Sequence, residues 1–246
     1  MSVSYESYRT IFNGCFNISF GYPRADTCSK CDELIANISH CDSKLEITPS
    51  DAETLKEKTT LQTEKELHQR KAEMFYVRKR AARERAKVDK STLAVAFDFQ
   101  QELHVPNLTT NDVFYRRHFS VHSFNVHELG GDNVYIYAYD ETTRKRGFDD
   151  VAPMLHHFIQ TYCPGEVKHL ELFCNSCRRQ NKNFTFFRFL YGQVYLWNRF
   201  DSVRVSFPVR GHSYMECDRD FAFINKKVPA ELPSEWYAEF RSARRS

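Results

Sequence analysis

The chain has 246 residues, 41% hydrophobic and 15% aromatic, with a formal net charge of +3 at pH 7. That apolar content supports one large domain, or a small module with a domain of ordinary size, and excludes a disordered chain. A net charge so near zero does not demand a nucleic-acid partner, so only local clustering of basic residues can argue for one.

No run approaches the roughly 18 apolar residues that a membrane span needs, and Met1 to Tyr5 lack the apolar core of a secretory leader. An intracellular chain without a membrane partner is expected. There the 8 cysteines stay reduced, and paired ones point to metal rather than disulfides.

Residues 1–47 read as a loop-rich module, with Tyr5, Tyr8, Phe12, Phe16, Phe20 and Tyr22 ahead of Cys28-Ser29-Lys30-Cys31. Cys28 and Cys31, at a loop-to-helix boundary, have the spacing of half a zinc site. His40 and Cys41 are local candidates to complete it, and a pair of buried thiols is the alternative. Thr48-Pro49-Ser50-Asp51 marks the next start, with Pro at the first helical position. From there to Val88 no Gly or Pro intervenes, which predicts one helix about 55 Å long. Residues 48–90 therefore form a long helix that turns basic in its second half. Its Arg78, Lys79, Arg80 and Arg83 are candidate phosphate contacts. The alternative is a solvated face on a helix that packs a Met74, Phe75, Val77 and Ala81 stripe. The helix could also dock a partner or a second copy of the chain.

Residues 91–228 carry alternating strand and helix signals. Thr92–Gln100 is a nearly unbroken apolar run that suits a strand buried on both faces, and Asp98 near its end must meet a cation or sit at the rim capping backbone. Val113–Glu128 is extended in character, and Gly130-Gly131-Asp132-Asn133 turns it into Val134–Tyr139. Val151, Leu155, Phe158, Ile159 and Tyr162 recur at helical spacing behind Asp149 and Asp150, and Pro164-Gly165 stops that helix. Val167–Phe173 reads as a strand leading to Cys174-Asn175-Ser176-Cys177. A helix follows through Phe184, Phe187, Leu190, Tyr191 and Val194, then a strand at Ser202–Phe207. Gly211-His212-Ser213 opens a last segment through Phe223 and Ile224, and residues 229–246 read as a basic tail. A meander followed by alternating units predicts an α/β fold with a mixed five-stranded sheet flanked by helices, the element order of RNase H-like cores.

From Tyr8 to Phe240 the chain resembles a family of transposon-derived proteins of arthropods and other animals with an RNase H-like DDE-transposase core. The matching residues are Asp26-Thr27-Cys28-Ser29-Lys30-Cys31-Asp32, His68, Asp98-Phe99-Gln100 and Arg146-Gly147. Further matches are Cys177 with Gln180-Asn181-Lys182-Asn183, Gly211-His212-Ser213 and Asp218-Arg219-Asp220-Phe221. The resemblance implies two-metal phosphoryl transfer, in which carboxylates hold paired Mg²⁺ or Mn²⁺ ions. Asp98 and Asp218, with Asp220 close by, would be two of the acids; His212 near them could orient a ligand or contact a phosphate, the alternative being a hydrogen-bonded histidine that starts a helix. It favours His68 as a zinc ligand beside Cys28 and Cys31.

The departures are specific. The family pattern Asp-Ser-Cys-Gly-Gly-Gln-Asn-Lys-Asn reads Asn175-Ser176-Cys177-Arg178-Arg179-Gln180-Asn181-Lys182-Asn183 here. One acid is lost at Asn175, and an amide brings no negative charge to a hard cation. Two glycines become Arg178 and Arg179, which with Lys182 could line a nucleic-acid groove. The expected protein is a DNA-binding, nuclear, transposase-derived chain with a degraded catalytic site. An active metal-dependent DNA nuclease or strand-transferase, and a protein-interaction scaffold or homodimer built on the long helix, are the alternatives.

Overall fold

Thr92–Phe99 forms β1, whose residues are buried or nearly so on both faces, as its apolar run requires. In this computed structural model, which describes residues 4–15, 27–106, 117–225 and 230–242, β1 is the centre of a six-stranded mixed sheet. The other strands are β2 (Leu103–Val105), β3 (Phe119–Glu128), β4 (Val134–Asp140), β5 (His169–Cys174) and β6 (Ser202–Ser206). β1 pairs antiparallel with β3, setting Val95 opposite Glu128 and Phe99 opposite Phe124. β4 runs antiparallel along the far edge of β3, while β5 and β6 run parallel to β1. Five strands were expected. The sixth, β2, continues the β1 edge along β3, setting Leu103 opposite Val121, and its three residues are too few for a periodic signal.

Alternation along β1 sorts the two faces. Val95, Phe97 and Phe99 enter a core built with α4 (Phe148–Thr161) and α5 (Phe184–Tyr191), which a π-helical turn at Gly192–Leu196 extends. Ala94 and Ala96 face the other way, against Phe75, Ala82, Met215, Cys217 and Phe221. Small side chains on that face let two further helices lie close, α3 (Ala52–Val88) and α6 (Glu216–Asn225). Asp98 follows Ala94 and Ala96 in the alternation and therefore belongs to the α6 face.

The N-terminal module is helical rather than loop-rich in its described residues, with α1 (Tyr5–Cys15) and α2 (Ser29–Ile47). Leu34 and Cys41, seven residues apart, give α2 the buried stripe that holds it on α3. Lys30 pairs with Glu64 at 3.1 Å and Lys58 with Asp42 at 2.6 Å, so the two helices run antiparallel. That direction brings the start of α2 level with His68. The N-cap of α3 is Asp51, three residues later than Thr48, because its carboxylate accepts from the amides of Glu53 and Thr54.

The segment read as a basic tail contains α7 (Pro233–Ser242), whose buried Trp236 joins Leu103, Val105, Val121 and Ile224 in a third cluster. Phe16, Phe20, Tyr22, Asp26 and Val113–Tyr115 lie outside the described residues, as does the end of the tail. No helix among the described residues is long and apolar enough to cross a membrane.

Candidate functional site

Two polar groups lie along α3 and α6. The first joins three separate segments: Cys28 and Cys31 at the start of α2, His68 in the middle of α3, and His212 in the loop before α6. One ligand atom from each lies within 4.8 Å of the others, so the four residues could hold a metal ion. Cys28 Sγ is 3.2 Å from His68 Nε2, His68 Nε2 is 3.2 Å from His212 Nε2, and His212 Nε2 is 3.4 Å from Cys31 Sγ. Burial, with Cys28 adding to it, pushes the Cys31 thiol up, while burial and His68 push His212 down. Both shifts oppose the charged forms of groups crowded together.

This placement corrects one expectation and closes a gap. His212, expected near the acids, has its Nε2 in the Cys–His group instead. His40 and Cys41, the local candidates for completing that group, do not reach it; His40 is exposed and Cys41 packs in the α2–α3 interface. No spacing rule could have found His212, which lies 144 residues beyond His68.

The second group sits at the carboxyl ends of the parallel strands. Asp98 near the end of β1, Asn175 directly after β5 and Asp218 in the first turn of α6 converge on one face of the sheet. Asp98 Oδ1 accepts from the Phe99 amide at 2.7 Å and from the Asn175 side-chain amide. The rim capping role is therefore real. Burial pushes Asp98 up to about 7, with the Asp218 charge adding to the rise; the Phe99 amide, Arg146 and Asn175 restrain it. Asp218 accepts from the Met215 amide at 2.7 Å, capping α6. Asp220 is engaged separately, accepting from Asn125 Nδ2 at 2.9 Å and lying 2.8 Å from His127 Nδ1. Asn125 and His127 were missed in the sequence, although polar side chains two apart in an otherwise buried strand were the signal.

These residues do not fit a pair of hard divalent cations. Asn175 Oδ1 is taken by the Cys177 amide at 3.0 Å and by Asn181 Nδ2 at 2.9 Å, which turns its NH₂ toward Asp98. A donor thus stands where a cation would need oxygen, and burial beside Asp218 raises the Asp98 carboxyl, which opposes its charged form.

The expected phosphate contacts divide. Lys79 is buried and pairs with Glu216 at 3.1 Å, and Arg83 reaches the same carboxylate at 3.0 Å. Those two lock α3 to α6 and are not available to a phosphate. Arg80 pairs with Glu73 at 2.6 Å on the surface, and Arg78 is exposed. The buried stripe of α3 runs through Ala72, Phe75, Lys79 and Ala82, while Met74 and Val77 are 49% and 41% exposed, so only Phe75 of the expected stripe is buried. Exposed Arg178 and Arg179 line a cleft of about 820 Å³ with Arg144, Lys145 and the start of α4, and Lys182 lies over the Phe207 ring.

Comparison of the chain with known protein families, curated proteins and solved structures finds no match.

Proposed function

We propose that the chain is a transposase-derived nucleic-acid-binding protein with an RNase H-like core whose phosphoryl-transfer site is degraded. One observation carries the reading. Asp98, Asn175 and Asp218 converge at the carboxyl edge of a sheet ordered β4-β3-β1-β5-β6, three antiparallel strands followed by two parallel ones. That order and those three positions are what an RNase H-like core uses for its acids. The middle position carries an amide, so recognition of the nucleic acid outlasts the chemistry.

The cleft between α4 and the loop after β5 is where a phosphate backbone would lie. Arg144, Lys145, Arg178 and Arg179 supply its cations, which outnumber the Asp149 and Asp150 carboxylates that line the same cleft. In this reading the partner is DNA, the chain works in the nucleus, and the ion held at Cys28, Cys31 and His68 is Zn²⁺.

Titrating a fluorescent DNA duplex with the full chain at several salt concentrations tests it. Affinity should fall with added salt, with a slope of about −0.9 per phosphate contacted. Replacing both Arg178 and Arg179 by Gly should flatten that slope by about two units. Absence of binding at low salt would contradict the reading.

A further inference from the structure

We infer that the Cys–His group is a closed four-ligand zinc site, with His212 as its fourth ligand, and that the ion clamps the α2–α3 hairpin to the loop that launches α6. The inference rests on the zinc assignment alone and is independent of the nucleic-acid reading.

The donor geometry supports it first. Zn–S bonds of about 2.3 Å and Zn–N bonds of about 2.0 Å put tetrahedral neighbours about 3.3–3.8 Å apart. The recorded separations of 3.2, 3.4 and 3.2 Å lie at or close to the short end of that range. Moreover, each Nε2 is shared by two neighbours. His68 Nε2 faces both Cys28 Sγ and His212 Nε2, and His212 Nε2 faces both His68 and Cys31. A ring nitrogen that makes one ordinary hydrogen bond points at one partner, whereas nitrogens and sulfurs converging on a shared point are arranged for an ion. Two thiolates and two imidazoles complete a tetrahedral set, leaving no open position for a substrate. The site is structural.

The backbone around His212 fits that role. Gly211 has φ of +81°, and a Cβ there would come within 2.7 Å of Cys28 Cα. Only glycine lets this loop come so near the start of α2. Beyond His212 the loop stays fastened to α3. Tyr76 Oη donates to the His212 carbonyl at 3.0 Å, and Lys79 Nζ donates to the Tyr214 carbonyl at 3.2 Å. Met215 then donates to the Asp218 carboxylate that begins α6. The ion would therefore fix one end of a short strap whose other end places Asp218.

Zinc content and Co²⁺ spectra of the full chain and four variants test the inference. The parent, and equally His40→Ala, should carry one zinc per chain and give the visible bands of tetrahedral Co²⁺. Cys28→Ser should lose both. His212→Ala should bind roughly tenfold or more weakly. His212→Cys should retain the metal and gain sulfur-to-cobalt absorption, which a merely structural histidine would not cause. Removing zinc should speed hydrogen exchange at residues 208–218. Native affinity and an unchanged spectrum in both His212 variants would overturn the fourth ligand while leaving the zinc assignment standing. Unchanged exchange at 208–218 would overturn the clamp. Absence of zinc from every protein would overturn the zinc assignment itself.

Discussion

The Cys–His group and the carboxylate group each draw one residue from the segment 212–218, His212 and Asp218, yet they resolve their polar atoms in opposite ways. Around Asp98 the protein satisfies itself. An amide NH₂ meets the carboxylate, Asp218 caps its own helix, and Asp220 is held by Asn125 and His127. Around Cys28 two thiols and two imidazoles from three segments crowd one another. Hydrogen bonds within the protein take up the carboxylate oxygens in the one group, whereas in the other the thiols and imidazoles converge on one another. The Lys79–Glu216–Arg83 seam joins α3 to α6.

Breaking each region should rank them. Cys28→Ser should have the largest effect, lowering the melting temperature by about 10 °C, and a chelator should reproduce the loss on the parent. No change in either case would mean that the crowded donors need no ion. Glu216→Ala should come next. It strands Lys79, whose side chain is 10% exposed, and costs about 3 kcal/mol in urea denaturation. A value near zero would mean that the seam carries no strength of its own.

Asp98→Asn should have the smallest effect, and a pH-dependent one. The folded carboxyl is raised to about 7, so the folded chain holds a proton that the unfolded chain releases near pH 4. Stability from this group is therefore full below about pH 4 and lost as pH rises toward 7. The parent should weaken between pH 5 and pH 8, whereas Asp98→Asn should weaken less and exceed the parent at pH 8 by about 2 kcal/mol. Parallel pH profiles for the two proteins would contradict the raised Asp98 carboxyl.

What the sequence made legible follows the physics of pattern. β1 could be read because eight residues buried or nearly so on two faces leave an apolar run. α3 could be read because 37 residues without Gly or Pro can hardly be anything else. Asp98 could be singled out because a carboxylate in such a run is costly. β2 and α7 were hidden, the first by its length and the second by the charged residues around Trp236. Lys79 misled for a different reason. Its charge suggested solvent, but its spacing from Phe75 and Ala82 already placed it on the packed stripe. His212 was visible as a residue of interest, but its partners could be assigned only once α2, α3 and the loop before α6 had been brought together.

The most direct test of the account is divalent-metal-dependent cleavage of DNA by three proteins: the parent, Asn175→Asp, and Asn175→Asp combined with Asp98→Ala. If the core is a phosphoryl-transfer scaffold disabled at one carboxylate, only Asn175→Asp should cut. Cleavage by the unmodified chain, or equal cleavage with and without Asp98, would contradict it.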